Sequence, residues 1–535
     1  MPDFGEGYRG STWDEAASRV WDVVVIGGGI TGAGVAKETA RLGLSVLLVE
    51  QRDFAWGTSS RSSKMVHGGL RYLRERQIQL TREAVRERES LLRTGKGLVE
   101  PLRFLYVVYQ GDRPGPWMLD FGLSVYDLLK KGGKNHHGLD ALDVWLSAPN
   151  LDLVGLRRGF AYLDAQTDDA RLVFRVLREA MSFGARALNY ARADELLRDR
   201  EGNVRAVAVS DADTGSVTEV KTRFVVNATG VWSAEIVAGG GAPRLRPLRG
   251  SHLVLPREKL PVAQAITFAH PRDGRPVFSY PWEGVTLVGT TDLDHDQPLR
   301  LEPAATREES DYLLEAVRHR FKDIHVSPED LLGTFAGVRP VIFGGRDHPS
   351  QEPREHAIWR DKNYLAIAGG KLTTFHPMAR EAVRTVAADL GRRSNGSASG
   401  GLEPLQRKII ERANETLSPL PHLLRRRLAG RLGPDLEAFL EWMREDDLQQ
   451  IADTPYTWAE LRWAFEREAV VHLEDLLLRR VRLGHLLPGG GRTLGGEMEA
   501  RLKDLPGWDP GRWEAEWRRY LKLWETHYSP EPAGS

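Results

Sequence analysis

Cysteine is absent from the 535 residues. That excludes a disulfide framework, a thiolate nucleophile, and cysteine-ligated metal or iron–sulfur clusters. Net charge is absent too. Lys+Arg and Asp+Glu both count 74, whereas a nucleic-acid partner calls for a basic excess. Nucleic acid is therefore not an expected partner, and any anion site must be local. No apolar run approaches the ~18 residues that a membrane-crossing helix needs. The stretch 1–21 is acidic in places and has no apolar core, so it does not read as a secretion signal. No His-Glu-x-x-His or comparable spacing offers a metal site.

What is present is ordinary globular composition, 41% hydrophobic and 28% charged, over a length that suggests roughly three domains. Asp22–Ile26 reads as a buried strand, a helix-compatible run extends from about Ile30 to Leu42, and Ser45–Glu50 reads as a second strand. Together they form a β-α-β unit. A charged amphipathic helix is expected over Leu70–Leu92, another over Arg171–Met181, and paired strands over 204–226 around the turn Asp213–Gly215. The region 250–345 is strand-rich, clearest at His252–Leu255, Val277–Pro281 and Val285–Gly289. Leu365–Ala368 repeats the buried-strand pattern before Gly369-Gly370 and a helix from about His376. Ser394–Gly401 is the best linker, and the chain beyond it is helix-rich. No repeat at solenoid spacing is apparent.

Gly27-Gly28-Gly29-Ile30-Thr31-Gly32 places G-x-G-x-x-G directly between strand and helix. Gly27 permits the tight turn, Gly29 lets backbone approach a pyrophosphate, and Gly32 lets helix and strand pack closely. The helix start at Ile30 and Thr31 then offers free N–H groups to phosphate. Glu50 ends the second strand, where its carboxylate can accept ribose hydroxyls and repel a 2′-phosphate. Because a strand-Gly-Gly segment recurs near residue 370, the nucleotide fold is split along the chain. That arrangement suits the extended molecule FAD better than NAD.

The run Thr58–Leu73, containing Ser59, Ser60, Ser62, Ser63, Lys64, His67, Gly68, Gly69, Arg71 and Tyr72, resembles the FAD-dependent glycerol-3-phosphate dehydrogenases. These belong to the D-amino-acid-oxidase-like flavoproteins. Matching segments follow in order: Asp168–Leu172, Asn227–Trp232 (with Ala228, Thr229 and Gly230), Arg249–His252, Gly289–Asp292, Gly337–Pro340, Gly369–Thr374, and Glu466–Glu468 to Leu473–Arg480. The resemblance spans about residues 20–485. It implies an α/β fold, with a Rossmann-like FAD-binding domain (20–80, 160–235, 355–392) interleaved with an antiparallel-sheet substrate domain (81–159, 236–354). A helical C-terminal domain (402–535) completes it. It also implies that the hydroxyl- and glycine-rich run passes beside the pyrophosphate and flavin ring, that glycerol 3-phosphate is oxidised to dihydroxyacetone phosphate, and that quinone takes the electrons. Attachment to the inner, cytoplasmic face of the cell membrane follows by the same analogy. Assembly into a homo-oligomer is left open.

That reaction sets three tasks. A dianionic phosphate suits arginine's planar fork; Arg339 in Gly-Val-Arg-Pro is the first choice and Arg354 the second, and the resemblance adds Arg71 and Tyr72 to the substrate pocket. A histidine titrates in the right range to accept the hydroxyl proton, and both His252, which starts an apolar strand, and His67, in the flavin loop, are candidates. Negative charge developing on the flavin would be met by Lys371 and helix N–H groups after Gly370. Leu372, Thr373 and Thr374 follow there, to bond the cofactor or cap the helix.

Other features carry less. Leu487–Gly491 reads as a mobile connector and His136-His137 as a loop pair. Leu423–Leu428, the helical series Trp513, Trp517, Leu521 and Trp524, and the stretch around Trp117-Met118-Leu119 each read as internal packing or as membrane contact. Rival functions are an oxygen-using glycerol-3-phosphate oxidase, an amino-acid substrate on the same fold, and a flavin-binding scaffold without catalysis.

Overall fold

The computed structural model describes residues 4–5, 7–69, 78–129, 135–236, 244–345, 352, 356–392, 401–505 and 507–530. Apolar runs made of β-branched residues form the centre of the first sheet. Strands His356–Asp361, Tyr364–Gly369, Val217–Asn227, Trp21–Ile26, Val46–Val49 and Arg186–Leu188 lie side by side in that order. All neighbours from Tyr364–Gly369 onward are parallel, in a register that sets Val25 beside Val226 and Leu48. Such strands are covered on both faces, which is why they carry no polar alternation. Helices Ile30–Arg41, Asp169–Ser182 and Phe375–Asp389 pack together on one face. The other is closed by the antiparallel pair Ala191–Arg198 and Val204–Asp211, with Tyr364 and Trp21 buried beneath.

Among the described residues the second sheet has ten strands and is mostly antiparallel. Strand Leu245–Pro256 pairs with Val285–Gly289 on one side and Gly333–Ile342 on the other, so His252 stands between Gly289 and Phe335. Strand Leu156–Thr167 pairs along its whole length with Val99–Tyr109, and Met65–Val66 adds to its edge. The sheet change expected at residue 160 therefore comes after Thr167, where Asp168 caps helix Asp169–Ser182 by accepting from Arg171 N. Strand Val99–Tyr109 is followed by the helix Pro116–Leu129. Of the helix expected over Leu70–Leu92, the described part is Ile78–Thr94; residues 70–77 lie outside the described residues, as does the linker apart from Gly401.

The C-terminal region is helical from Arg407 to His527. Its tryptophans settle as internal packing: Trp513, Tyr520 and Trp524 on helix Pro510–His527 are buried in one core with Tyr280 and Trp282 of the second sheet. Arg425 donates to Asn414 O, Arg426 to Glu100, and Arg427 to Glu283 and Glu460, so that arginine run is also engaged within the protein. The glycines expected to form a mobile connector are packed instead. Gly489, Gly490 and Gly491 all have positive φ, and a side chain on Gly490 would overlap the Trp524 ring. His136 does lie in a loop but is buried, with Nδ1 2.8 Å from Asp127 Oδ2, whereas His137 begins a short strand.

Candidate active site

The strand-to-helix turn after Ile26 has the shape that a pyrophosphate needs. Gly27 has φ +109°, and a side chain there would sit 2.6 Å from Ala228 O. A side chain on Gly32 would collide with Gly27 O. Both positions therefore demand glycine, and Ala228, Thr229 and Gly230, at the end of the adjacent strand, form the opposite wall. Ile30 N–H, in the first turn with Thr31, donates to Ser59 Oγ at 3.0 Å. Glu50 accepts from Gly28 N at 2.6 Å and Arg52 N at 2.9 Å. Burial raises its pKa against those two hydrogen bonds. A carboxylate has about four acceptor sites, so two are left for ribose hydroxyls. These residues fit an adenine dinucleotide.

The flavin loop owes its shape to one buried carboxylate. Asp169 accepts from Ser62 N, Ser62 Oγ and Lys64 Nζ at 2.9, 2.7 and 3.0 Å. Lys64 is fully buried and also donates to Ser60 O. Burial lowers its pKa to about 8 although Asp169 opposes the shift. Lys64, read from the sequence as a cofactor contact, turns its ammonium inward onto Asp169 and Ser60 O, and Ser60 is buried beside it. Gly68 N–H donates to Tyr126 Oη at 2.8 Å, which in turn donates to Asp164 beside Arg88. Gly69 follows with φ +79°.

A cavity of about 1880 Å³ opens between this loop and the second sheet. Ser62, Ser63 and His67 line it from the flavin loop, and Gly369, Gly370, Lys371, Leu372 and Thr373 line it from the end of strand Tyr364–Gly369. Thr374 is a cap, accepting from Lys371 N at 3.3 Å. His67 is half-buried; desolvation, then Lys371 and Arg88, lower its pKa to about 3. Arg339 lines the cavity from strand Gly333–Ile342. Its guanidinium lies over Gly250 and donates to Asp292 Oδ1 and Thr290 Oγ1, both at 3.1 Å. Arg275 flanks the same carboxylate at 3.8 Å. His252 is buried rather than cavity-lining, with Ser63 in front of it. Arg71, Tyr72 and Arg354 lie outside the described residues. Sequence reasoning quoted Thr290, Asp292 and Asp169 inside matching segments but gave them no role. Tyr126 and Arg275 carried no signal at all, since their partners are far away in sequence.

Comparison with known proteins agrees with this geometry. The model described as FAD dependent oxidoreductase matches residues 22–385 and that of the C-terminal domain of alpha-glycerophosphate oxidase matches residues 379–512. The aerobic glycerol-3-phosphate dehydrogenase of Staphylococcus saprophyticus is 34% identical over 481 residues, covering 86% of each chain. The Staphylococcus aureus protein of that name is 33% identical with the same coverage. Among solved structures, the glycerol-3-phosphate dehydrogenase from Bacillus halodurans complexed with FAD superposes with a TM-score of 0.76 at 26% identity, covering 99% of both chains. FAD is thus the cofactor, and the chain belongs to the family of FAD-dependent oxidoreductases that includes the aerobic glycerol-3-phosphate dehydrogenases.

Proposed function

We propose that this enzyme oxidises sn-glycerol 3-phosphate to dihydroxyacetone phosphate and passes the electrons to a membrane quinone. The observation that carries the reading is a cavity with flavin-loop hydroxyls and Lys371 at one wall and a guanidinium held on Asp292 at the other. Bound FAD supplies the two-electron acceptor for the hydride at C2. Arg339 presents a planar fork to the phosphate, with its orientation fixed by Thr290 and Asp292. His67, kept neutral by burial and neighbouring cations, can accept a hydrogen bond from a substrate hydroxyl. Arg71, Tyr72 and Arg354 belong to this proposal as further substrate contacts.

The quinone and membrane parts rest on the cavity mouth. Met118 and Phe121 on helix Pro116–Leu129 line the cavity, yet they are 54% and 62% exposed, and Trp117 beside them is 79% exposed. Ile78, also lining, extends this apolar rim. An exposed apolar edge around a cavity suits a lipid-soluble acceptor arriving from the inner face of the cell membrane. Among the described residues no helix is long and apolar enough to cross a membrane, so contact would be peripheral.

Anaerobic addition of glycerol 3-phosphate to the purified holoenzyme tests the reading. Bleaching of the flavin spectrum is expected; a flavin that stays oxidised would remove the substrate assignment. The match to an oxidase C-terminal domain favours one second reading, in which oxygen is the acceptor. Stoichiometric peroxide with no quinone reduction would establish it.

A further inference from the structure

His252 has the chemistry of a base but not the position of one. It is 1% exposed, and its ring stacks on Phe335 with centroids 4.7 Å apart and planes at 7°. Behind it, Gly289 leaves the space that a side chain would take from the imidazole. Among the described residues its Nδ1 has no hydrogen-bond partner, and its Nε2 lies 2.8 Å from Ser63 Oγ. Ser63, unlike His252, lines the cavity. The imidazole therefore communicates with the reacting space through a single atom, the serine oxygen. A hydroxyl both donates and accepts, so that oxygen can receive one proton while releasing another.

We propose that Ser63 Oγ takes the proton from the C2 hydroxyl of the substrate and hands its own to Nε2 of His252. The inference rests on the functional reading above. In the step, the O–H and C2–H bonds of glycerol 3-phosphate break and the carbonyl π bond forms. The C–H electron pair leaves as hydride for FAD, the hydroxyl proton goes to Ser63, and the serine proton goes to the imidazole. Ser63 ends unchanged. After product leaves, the imidazolium discharges along the same path, since among the described residues none accepts a proton from Nδ1.

The electrostatics give the relay a condition. Burial, then Arg339 and Lys64, hold His252 far below its usual range, so the ring is neutral before substrate arrives. His485, on the far side of a shared contact with Phe335, is also held neutral by burial and by Arg482 and Lys64. A phosphate dianion against Arg339 offsets one of the two cations that depress His252. Proton acceptance is thereby favoured while substrate is bound.

The test combines anaerobic stopped-flow reduction across pH with ¹⁵N spectra of histidine-labelled holoenzyme at rest. Ser63→Ala should slow flavin reduction roughly 10²-fold with little change in apparent substrate affinity, and Ser63→Thr should recover most of the rate. His252→Asn should show a loss of similar size, and the double variant no further loss. In the resting spectra, Ser63→Ala should shift the His252 Nε2 resonance without any turnover. Wild-type rates in Ser63→Ala, multiplicative losses in the double variant, or an unmoved Nε2 resonance would each overturn the relay. Loss of the pH dependence on His67→Asn alone would assign the proton to His67 and overturn it as well. A wild-type flavin that glycerol 3-phosphate leaves oxidised is a separate outcome, which removes the functional reading and the relay with it.

Discussion

A group of C-terminal arginines and the single Arg339 do opposite things. Arg479, Arg480 and Arg482 come from the C-terminal region and are almost completely buried. Arg480 grips Asp53 with two N–H groups at 2.8 and 2.9 Å, and Arg479 joins it on the same carboxylate. Arg482 holds Asp168 at 2.9 and 3.0 Å and also reaches Asp169. Arg431 completes the set on Asp168 at 2.9 Å. Burial alone would raise the Asp168 pKa; Arg482 and Arg431 drive it far below the carboxylate range instead. Arg339, by contrast, lines the cavity with 27% of its side chain exposed while its terminal nitrogens donate to Asp292, Thr290 and Thr291 O. A buried guanidinium saturated by carboxylates has no capacity left for a ligand, whereas one oriented by its neighbours and still accessible does. Matching, rather than residue type, separates architecture from function.

The comparison breaks most sharply at Asp168. Asp168→Asn strands Arg431 and Arg482 without their shared counter-charge, and removing one partner of a buried pair costs about 3–5 kcal/mol. A large fall in the thermal unfolding midpoint, with weakened FAD retention, is expected. Next comes Arg339→Ala, which should raise the KM for glycerol 3-phosphate roughly 10- to 100-fold while moving the unfolding midpoint far less. Steady-state kinetics beside calorimetry on the same preparations checks both; comparable destabilisation by the two variants would erase the distinction.

The smallest effect concerns His472, which ties the Arg479–Arg482 segment to the last helix. Burial pulls its pKa down, but the Glu516 hydrogen bond at 2.9 Å and Asp475 outweigh this and leave it raised. A group whose folded pKa is raised contributes stability that is complete below its unfolded value, about 6.5, and is lost as pH rises through the folded value. The unfolding midpoint should therefore decline modestly above neutrality, and His472→Gln should flatten that decline.

Much of the frame was readable because it depends on local rules. Val23–Ile26, Val46–Val49 and Val225–Val226 are apolar without alternation, as doubly covered parallel strands must be, and the glycines between the first strand and its helix announce the turn. Arg339 and Lys371, singled out by the short segments that surround them, do line one cavity. The burial of His252 behind Ser63 was not legible, since it depends on a cross-strand register that sets Gly289 and Phe335 on either side. Nor was the inward turn of Lys64, decided by a carboxylate 105 positions away. The tryptophans of helix Pro510–His527 show the same limit: helical spacing reveals a face, but only the partner sheet decides whether that face meets water, lipid or protein.

The order of strands in the first sheet also has a consequence for how the protein is made. Its central strands come from residues 21–26, 46–49, 217–227 and 364–369, and Asp53 waits for arginines 479 and 480. Synthesis proceeds from the N-terminus at about 5–20 residues per second. The dinucleotide turn thus leaves the ribosome tens of seconds before the last strand and the arginine clamp that complete its surroundings. Over that interval the nascent chain exposes a half-finished parallel sheet with an open edge, the kind of surface that aggregates or recruits a chaperone. A truncation between residues 370 and 479 would keep the turn and the strands of its sheet but remove the arginines that hold Asp53.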